Sequence, residues 1–320
     1  MPDPLVVAVV GPTAAGKSDL AVALSKHLDG EVVNADAMQV YRGMDIGTAK
    51  ISPTERAGVP HHLLDILDVT ETATVAEFQQ LARAAIDDCI DRQRTPVLAG
   101  GSALYIRAIL DDFVFPGTDP VVRARLEAEL EAHGSGALHS RLQAIDPKAA
   151  EQILPSNGRR IVRALEVVEI TGGPYVATLP EHRYVYPGAV QLGLDVPRPE
   201  LDARIDLRVD RMFDAGFVAE VRGLLDKGLI EGKTANRALG YSQVIALLNG
   251  EIDETQARER TAQATRRFAR RQDSWFRKDQ RITWLPYDAP DLVEKAIQVL
   301  AQGNRRGTGG VVGVESNARG

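Results

Sequence analysis

Leu5-Val6-Val7-Ala8-Val9-Val10 runs directly into Gly11-Pro12-Thr13-Ala14-Ala15-Gly16-Lys17-Ser18. The apolar run reads as a strand buried on both faces, the kind found in parallel sheets. The eight residues after it match the G-x-x-x-x-G-K-[ST] phosphate loop, in the strand-to-helix position such a loop requires. Its glycines let the backbone turn so that the N–H groups of Thr13–Lys17 point inward. The N-terminus of the following helix adds a field that favours anions. Lys17 offers a point charge for the outer phosphates and Ser18 a hydroxyl for Mg²⁺. These residues predict a parallel sheet, a helix from Lys17 and a pocket for a di- or triphosphate.

The strand–helix alternation continues outward from that unit. Glu31–Ala35 reads as a short strand. It delivers Asp36 to a C-terminal strand end, one strand over from the phosphate loop, where open α/β sheets place ligands. A Gly- and Pro-rich loop follows, then a helix over Val75–Arg92, a strand over Pro96–Ala99 ending in Gly100-Gly101, and a helix over Ser102–Leu110. After Phe115-Pro116-Gly117 only helical patterns appear: Pro120–Ala132, Leu138–Ala144, Lys148–Ile153 and Gly158–Thr171. An apolar strand returns at Val190–Val196. Helices are expected over Pro199–Lys227, Ala238–Leu248 and Thr255–Lys278, then a strand at Ile282–Leu285 and a helix at Leu292–Ala301. The expected fold is α/β, a phosphate-loop NTPase-like parallel sheet formed by 1–117 and 188–302. An all-helical domain over 118–187 interrupts it. Residues 303–320 lack a core pattern and read as a disordered tail.

Apolar residues make up 44% of the 320 and charged residues 26%, as in globular proteins. No apolar stretch approaches the roughly 20 residues of a membrane span. The N-terminus has no secretion-signal pattern, so the cytoplasm is the expected compartment and no membrane partner is expected. The single cysteine, Cys89, excludes a disulfide framework and a cysteine-based zinc site, and reads as a packed thiol. His61 and His62 read as structural, because adjacent side chains diverge and no further Cys or His lies near in sequence. The net charge of −6 argues in bulk against a nucleic-acid partner. Its distribution argues otherwise: Arg266, Arg267, Arg270, Arg271, Arg277, Lys278 and Arg281 form one basic stripe and Arg159, Arg160 and Arg163 another. By themselves such stripes fit solvated helix faces equally well.

A nucleotide hydrolase normally carries a second acid at a strand end to hold Mg²⁺. Here Pro96–Ala99 ends in glycines. What remains is a phosphate grip without an evident hydrolytic apparatus, which points to group transfer from a phosphorylated donor.

Several further motifs occur in order: Asn34-Ala35-Asp36-Ala37-Met38-Gln39-Val40-Tyr41, Gly43-Met44-Asp45-Ile46-Gly47-Thr48-Ala49-Lys50, His61-His62-Leu63-Leu64-Asp65, and Gly100-Gly101-Ser102-Ala103-Leu104-Tyr105. They continue with Arg159-Arg160-Ile161-Val162-Arg163-Ala164-Leu165-Glu166, Ala238-Leu239-Gly240-Tyr241 and Arg270-Arg271-Gln272-Asp273-Ser274-Trp275-Phe276-Arg277. With the phosphate loop, this ordered set resembles the tRNA dimethylallyltransferase family, over about Val6 to Leu300. The family moves a dimethylallyl group from its diphosphate to N6 of the adenosine 3′ of the tRNA anticodon, position 37. Ala37 departs from the family's usual serine and puts one hydrogen bond to the base in doubt; Leu239 replaces the more usual isoleucine conservatively.

The resemblance implies that Gly11, Pro12, Thr13, Ala14, Ala15, Gly16, Lys17 and Ser18 hold dimethylallyl diphosphate, where the bare motif would suggest ATP. It implies Mg²⁺ at Ser18 and a further diphosphate contact from Arg208. Read alone, Arg208 could equally be a surface partner of Asp206 or Asp210. Asp36 is the implied proton acceptor for N6; by position alone it could instead cap a turn or bind Mg²⁺ through water. The implied tRNA contacts are Asp36, Ala37, Met38, Gln39, Ser102, Arg123, Arg159, Arg160, Arg163, Arg237, Gly240, Tyr241, Arg270, Arg271, Trp275 and Arg277. Gly100-Gly101 fits a simple tight turn equally well, and tryptophans such as Trp275 more often belong to the core. The implied partners are the tRNA anticodon stem-loop and the prenyl diphosphate, with no obligate protein partner and a monomeric state. The rival readings are an isopentenyltransferase acting on free adenine nucleotide, a small-molecule kinase, and a nucleotide-switched interaction module.

Overall fold

The computed structural model describes residues 3–175 and 182–306. Residues up to Asp111 and from Tyr184 onward form one compact unit, and Asp112–Arg183 form a second.

The first unit begins with β1 (Val6–Val10), α1 (Lys17–His27), β2 (Gly30–Asn34), β3 (His61–His62), α2 (Val75–Asp91), β4 (Thr95–Gly100) and α3 (Ala103–Leu110). The second unit holds α4 (Pro120–Ile145), α5 (Pro147–Gln152) and α6 (Gly158–Thr171). The first then resumes with β5 (Ala189–Asp195), α7 (Arg198–Asp214), α8 (Phe217–Leu225), α9 (Tyr241–Leu248), α10 (Glu254–Phe276), β6 (Ile282–Pro286) and α11 (Leu292–Arg306).

The strands form one sheet in the order β3-β2-β4-β1-β5-β6, every pairing parallel. The apolar run of β1 lies at its centre, with Val9 opposite Ala99 on one side and Leu192 on the other. All five β1 residues are fully buried because both faces are covered. Val7 and Val9 pack with Leu20, Leu24, Ala296 and Leu300 of α1 and α11. Val6, Ala8 and Val10 pack with Phe78, Ile86, Ile106 and Ile109 of α2 and α3. Each of these valines, leucines, isoleucines and Phe78 contributes about 1.5–3 kcal/mol when fully buried, the alanines less. The crossovers leave the C-terminal ends of β1, β2 and β4 free to carry loops.

Five strands fall where the hydrophobic pattern predicts them. β3 does not, since two residues are too few to show a period and the segment reads as loop. The helix expected over Pro199–Lys227 is two helices, broken where Gly216 takes a left-handed conformation (φ 99°). Asp36 is separated from the phosphate-loop strand by β4, so the expected neighbourhood arises across an intervening strand. The last helix runs on to Arg306, past the expected start of the tail; residues 307–320 lie outside the described ones.

The helical unit starts and ends earlier than 118–187. Asp111 and Tyr184 form an antiparallel bridge, and the amide of Val185 donates to the Leu110 carbonyl (2.8 Å). The chain is therefore still part of the first unit at those residues. Inside the helical unit Leu126, Leu142, Ile161 and Leu165 form the core. α4 is interrupted at Gly134 (φ 76°), near the break expected from its sequence. Glu166 is fully buried at one end of that core. Burial opposes its ionisation, but hydrogen bonds from Arg123, Thr118 and Arg163 outweigh it and lower the pKa to about 2. Arg163 Nη1 donates at 2.8 Å, and Arg123 forms a short ion pair with the same carboxylate. Glu166→Ala leaves Arg163 without its carboxylate partner and Arg123 with only the longer contact to Glu127 (3.8 Å), and is expected to cost about 3 kcal/mol of unfolding free energy. Urea unfolding checks this; a loss below about 1 kcal/mol would show the cluster to be only a surface pair.

Candidate active site

A cleft opens at the C-terminal ends of β1, β2 and β4. Its walls include Thr13, Lys17, Ser18, Asn34, Asp36, Gln39, Thr48, Ala49, Gly100, Gly101, Arg208 and Gln272. The phosphate loop, Asp36 and Arg208 therefore share one cavity although they are far apart in sequence.

The loop turns into α1 through Gly16 (φ 98°), and no side chain caps that helix end. The first amides of α1 are thus left for an anion. One amide counted in the expected cradle is already committed: Thr13 N–H donates to Gln272 Oε1 (2.9 Å). Gln272 Nε2 in turn donates to the Gly101 carbonyl (2.7 Å). A buried glutamine on α10 therefore ties the phosphate loop to the end of β4. A Cβ on Gly101 would lie 2.4 Å from that amide nitrogen, and one on Gly100 would lie 2.5 Å from the Ala35 carbonyl oxygen. The double glycine is a close-packing requirement. It also keeps side chains of the intervening strand out of the space between Asp36 and the phosphate loop.

Lys17 Nζ donates to the Pro12 carbonyl (2.7 Å). Burial lowers its pKa to about 8, the charge of Arg208 adds to the drop, and Asp36 partly offsets it. Arg208 Nη1 donates to Thr13 Oγ1 (3.2 Å). Burial lowers its pKa too, and Asp36 again opposes the shift. The surface-pair reading of Arg208 fails, since Asp206 pairs with Arg266 and Arg208 faces the loop. Two desolvated cations facing one cleft are costly without an anion between them, which is what a diphosphate supplies. In the free protein Lys17 is charged below about pH 8, and an anion favours the charged form. Diphosphate binding should therefore take up close to one proton at about pH 9 and almost none at about pH 7. Titration calorimetry in two buffers of different ionisation enthalpy measures this; equal uptake at both would rule it out.

Asp36 is held by the residue two before it. Asn34 Oδ1 accepts from the Asp36 amide (3.0 Å), while Asn34 Nδ2 donates to the Asp36 carbonyl (3.0 Å) and the Leu63 carbonyl (3.1 Å). Asp36 Oδ1 accepts from the Met38 amide (2.9 Å). That bond fixes the carboxylate's rotamer and leaves its other oxygen for a proton. Gln39 Nε2 donates to the Thr48 and Ala49 carbonyls (3.2 and 3.4 Å), so the amide oxygen is the end left to accept.

Ser18 is exposed at the cleft and offers a hard oxygen donor. Among the described residues no carboxylate cage of three or more groups forms there. The Ser18 hydroxyl is a hard oxygen of the kind Mg²⁺ takes as a ligand. The metal-type cluster among the described residues lies elsewhere, at Glu31, His62 and Cys89. Arg92 occupies both oxygens of Glu31 (2.6 and 2.8 Å), and His62 Nε2 lies 2.6 Å from one of them. Burial and the Glu31 charge push the Cys89 thiol up to about 11, so it is a packed, unreactive group. His62 is engaged by Glu31, and His61 lines the cleft with its pKa lowered by burial.

The residues expected at tRNA separate into three groups. Arg159, Arg160, Arg237, Arg270 and Arg271 are exposed. Trp275, a tRNA contact by resemblance although its residue type alone favours the core, is 45% exposed on α10 with Arg270 and Arg271, because the buried face of that helix is carried by Ala269, Gln272 and Phe276. Ala37, Met38, Gln39 and Ser102 are half-buried. Others are occupied by the protein itself. Tyr241 is fully buried and donates to Glu220 Oε1 (2.7 Å), so its side chain is withheld from solvent. Gly240 is buried against Phe217. Arg123 and Arg163 are taken by Glu166, and Arg277 pairs with Asp195 and Asp273 while stacking on Trp284 at 3.8 Å.

The model of a family described as IPP transferase matches residues 39–279. A protein of Thermobifida fusca named tRNA dimethylallyltransferase is 63% identical over 302 residues, covering 93% of this chain and 94% of that one. One of the same name from Streptomyces avermitilis is 65% identical over 293 residues, covering 92% and 94%. The crystal structure of a tRNA isopentenylpyrophosphate transferase from Bacillus halodurans, 39% identical, superposes with a TM-score of 0.72 over 95% of this chain and 98% of that one. A eukaryotic dimethylallyltransferase captured acting on tRNA shares the fold, with a TM-score of 0.83 at 24% identity over 97% of this chain and 81% of that one. With the match spanning most of its length and its relatives covered almost end to end, this chain belongs to the IPP transferase family.

Proposed function

We propose that the protein transfers a dimethylallyl group from dimethylallyl diphosphate to N6 of the adenosine 3′-adjacent to a tRNA anticodon, position 37. The carrying observation is the cleft itself, where an anion cradle with Lys17 and Arg208 faces a braced carboxylate, Asp36. The named relatives support the same reaction.

In the reaction the N6 lone pair forms a bond to C1 of the allylic chain, the C1–O bond breaks, and its electron pair leaves with diphosphate. The N6 proton passes to Asp36. The amides at the start of α1, Lys17 and Arg208 bind the diphosphate where its negative charge grows, which lowers the barrier most if they are fixed beforehand. The Gln272 bridge supplies that fixity. Ser18 is the residue that would hold Mg²⁺, and a bound Mg²⁺ would add Lewis-acid neutralisation of the leaving group. Adenine must be drawn out of its stack to reach Asp36, at a cost of a few kcal/mol. Gln39, with its oxygen free to accept, is suited to the second N6 hydrogen. Arg159, Arg160, Arg270, Arg271 and Trp275 are suited to phosphates and unstacked bases. These exposed arginines argue for RNA over a free nucleotide, which needs few cationic contacts. The cytoplasm and a monomeric state complete the proposal.

Offering labelled dimethylallyl diphosphate with either an anticodon stem-loop or AMP tests the reading. Label should enter the stem-loop and not AMP, and ATP should not be hydrolysed. Preferential labelling of AMP would identify a free-nucleotide enzyme instead.

A further inference from the structure

Glu220 does not line the cleft, yet its carboxylate collects four donors. Glu220 Oε2 accepts from the amides of Asp45 (3.0 Å) and Ile46 (2.6 Å). Glu220 Oε1 accepts from the amide of Gly47 (3.1 Å) and the hydroxyl of Tyr241 (2.7 Å). Three successive backbone N–H groups converging on one anion form a nest. Here the anion belongs to α8, more than 170 residues along the chain.

The segment so held has no helix or strand of its own. It lies directly on an aromatic pair, Phe217 and Tyr241, whose ring centres are 5.0 Å apart. A Cβ on Gly47 would fall 2.2 Å from the Phe217 ring, so the backbone rests on it without a spacer. The next two residues are the working end. The Thr48 carbonyl accepts from Gln39 and from Arg208 Nη2, and the Ala49 carbonyl accepts from Gln39. The clamp on 45–47 thus sets the carbonyls that orient Gln39 and Arg208.

We propose that Glu220 is a positioning residue for the transfer reaction: its charged carboxylate clamps the 45–47 amides and thereby fixes the Thr48 and Ala49 carbonyls against Gln39 and Arg208. The proposal rests on the prenyl-transfer reading above. Both carboxylate oxygens accept two hydrogen bonds each, so an isosteric amide must turn an NH₂ toward two donors whichever way it faces.

The test uses the full chain with Glu220→Gln and Glu220→Asp, the latter keeping the charge on a shorter arm. Hydrogen–deuterium exchange of a peptide covering 42–50 reads the clamp without reference to activity. In Glu220→Gln these amides should exchange about tenfold faster, and kcat for tRNA prenylation should fall about tenfold with KM for tRNA within about twofold. Glu220→Asp should fall between parent and Glu220→Gln in both readouts, and decides the matter alone if Glu220→Gln does not fold. A merely structural role would lower the unfolding temperature and leave kcat unchanged below it. Unchanged exchange, or faster exchange at parental kcat, would overturn the proposal. If the parent leaves tRNA unmodified, the prenyl-transfer reading fails, while the exchange comparison still reports on the clamp.

Discussion

Asp36→Ala is expected to lower the rate of prenyl transfer by about 10²–10⁴-fold, the usual contribution of a positioned general base. Affinity for tRNA should stay within a few-fold of the parent, because most binding energy comes from phosphate contacts made elsewhere. The asymmetry follows from the geometry. Asp36 contributes one free carboxylate oxygen to the cleft, while its other oxygen and its backbone are occupied by Met38 and Asn34. Asp36→Asn keeps the Met38 bond and removes only the proton acceptor, so it should lose nearly as much. Single-turnover rates with prebound diphosphate, alongside filter binding of tRNA, separate the two quantities. A rate within a few-fold of the parent for either variant would remove Asp36 from the chemistry.

Arg208→Gln is the second large effect. Arg208 is desolvated, donates to Thr13 Oγ1 and shares the cleft with Lys17. Losing one fixed cation at the leaving group should cost about 10²–10³ in kcat, or about 2.7–4 kcal/mol, and weaken diphosphate binding as well. Were Arg208 a surface partner of Asp206, the substitution would change neither. Diphosphate affinity by calorimetry and kcat on saturated enzyme, both near pH 7, distinguish the cases. The companion change at Lys17 should become more apparent below about pH 8, where the parent's ammonium is charged before binding.

Much of this site could be read from the chain because the phosphate loop is a local object. Strand, turn and helix are contiguous from Val6 to His27, so spacing alone sets their geometry. Asp36 was legible for the same reason, lying just past the end of β2. What escaped was non-local. Gln272 reaches Thr13 across 259 residues, and Glu220 reaches Gly47 across 173. Neither residue type advertises such a role, and a glutamine or glutamate on an amphipathic helix reads as solvated. Two of the arginines have a further non-local partner. Arg123 and Arg163, RNA contacts by resemblance, pair with the buried Glu166 of the same helical unit, which their sequence does not announce. Trp275 shows the limit of residue averages, since the register of α10 decides its exposure. The earlier boundary of the helical unit has a like cause, because the bridge between Asp111 and Tyr184 is a pairing of distant segments.

The most direct measurement is mass spectrometry of nucleosides from tRNA incubated with the protein, Mg²⁺ and dimethylallyl diphosphate. Adenosine carrying one dimethylallyl group on N6 should appear, confined to the anticodon loop and dependent on Asp36. Unmodified nucleosides together with rapid hydrolysis of ATP would contradict the account at its root.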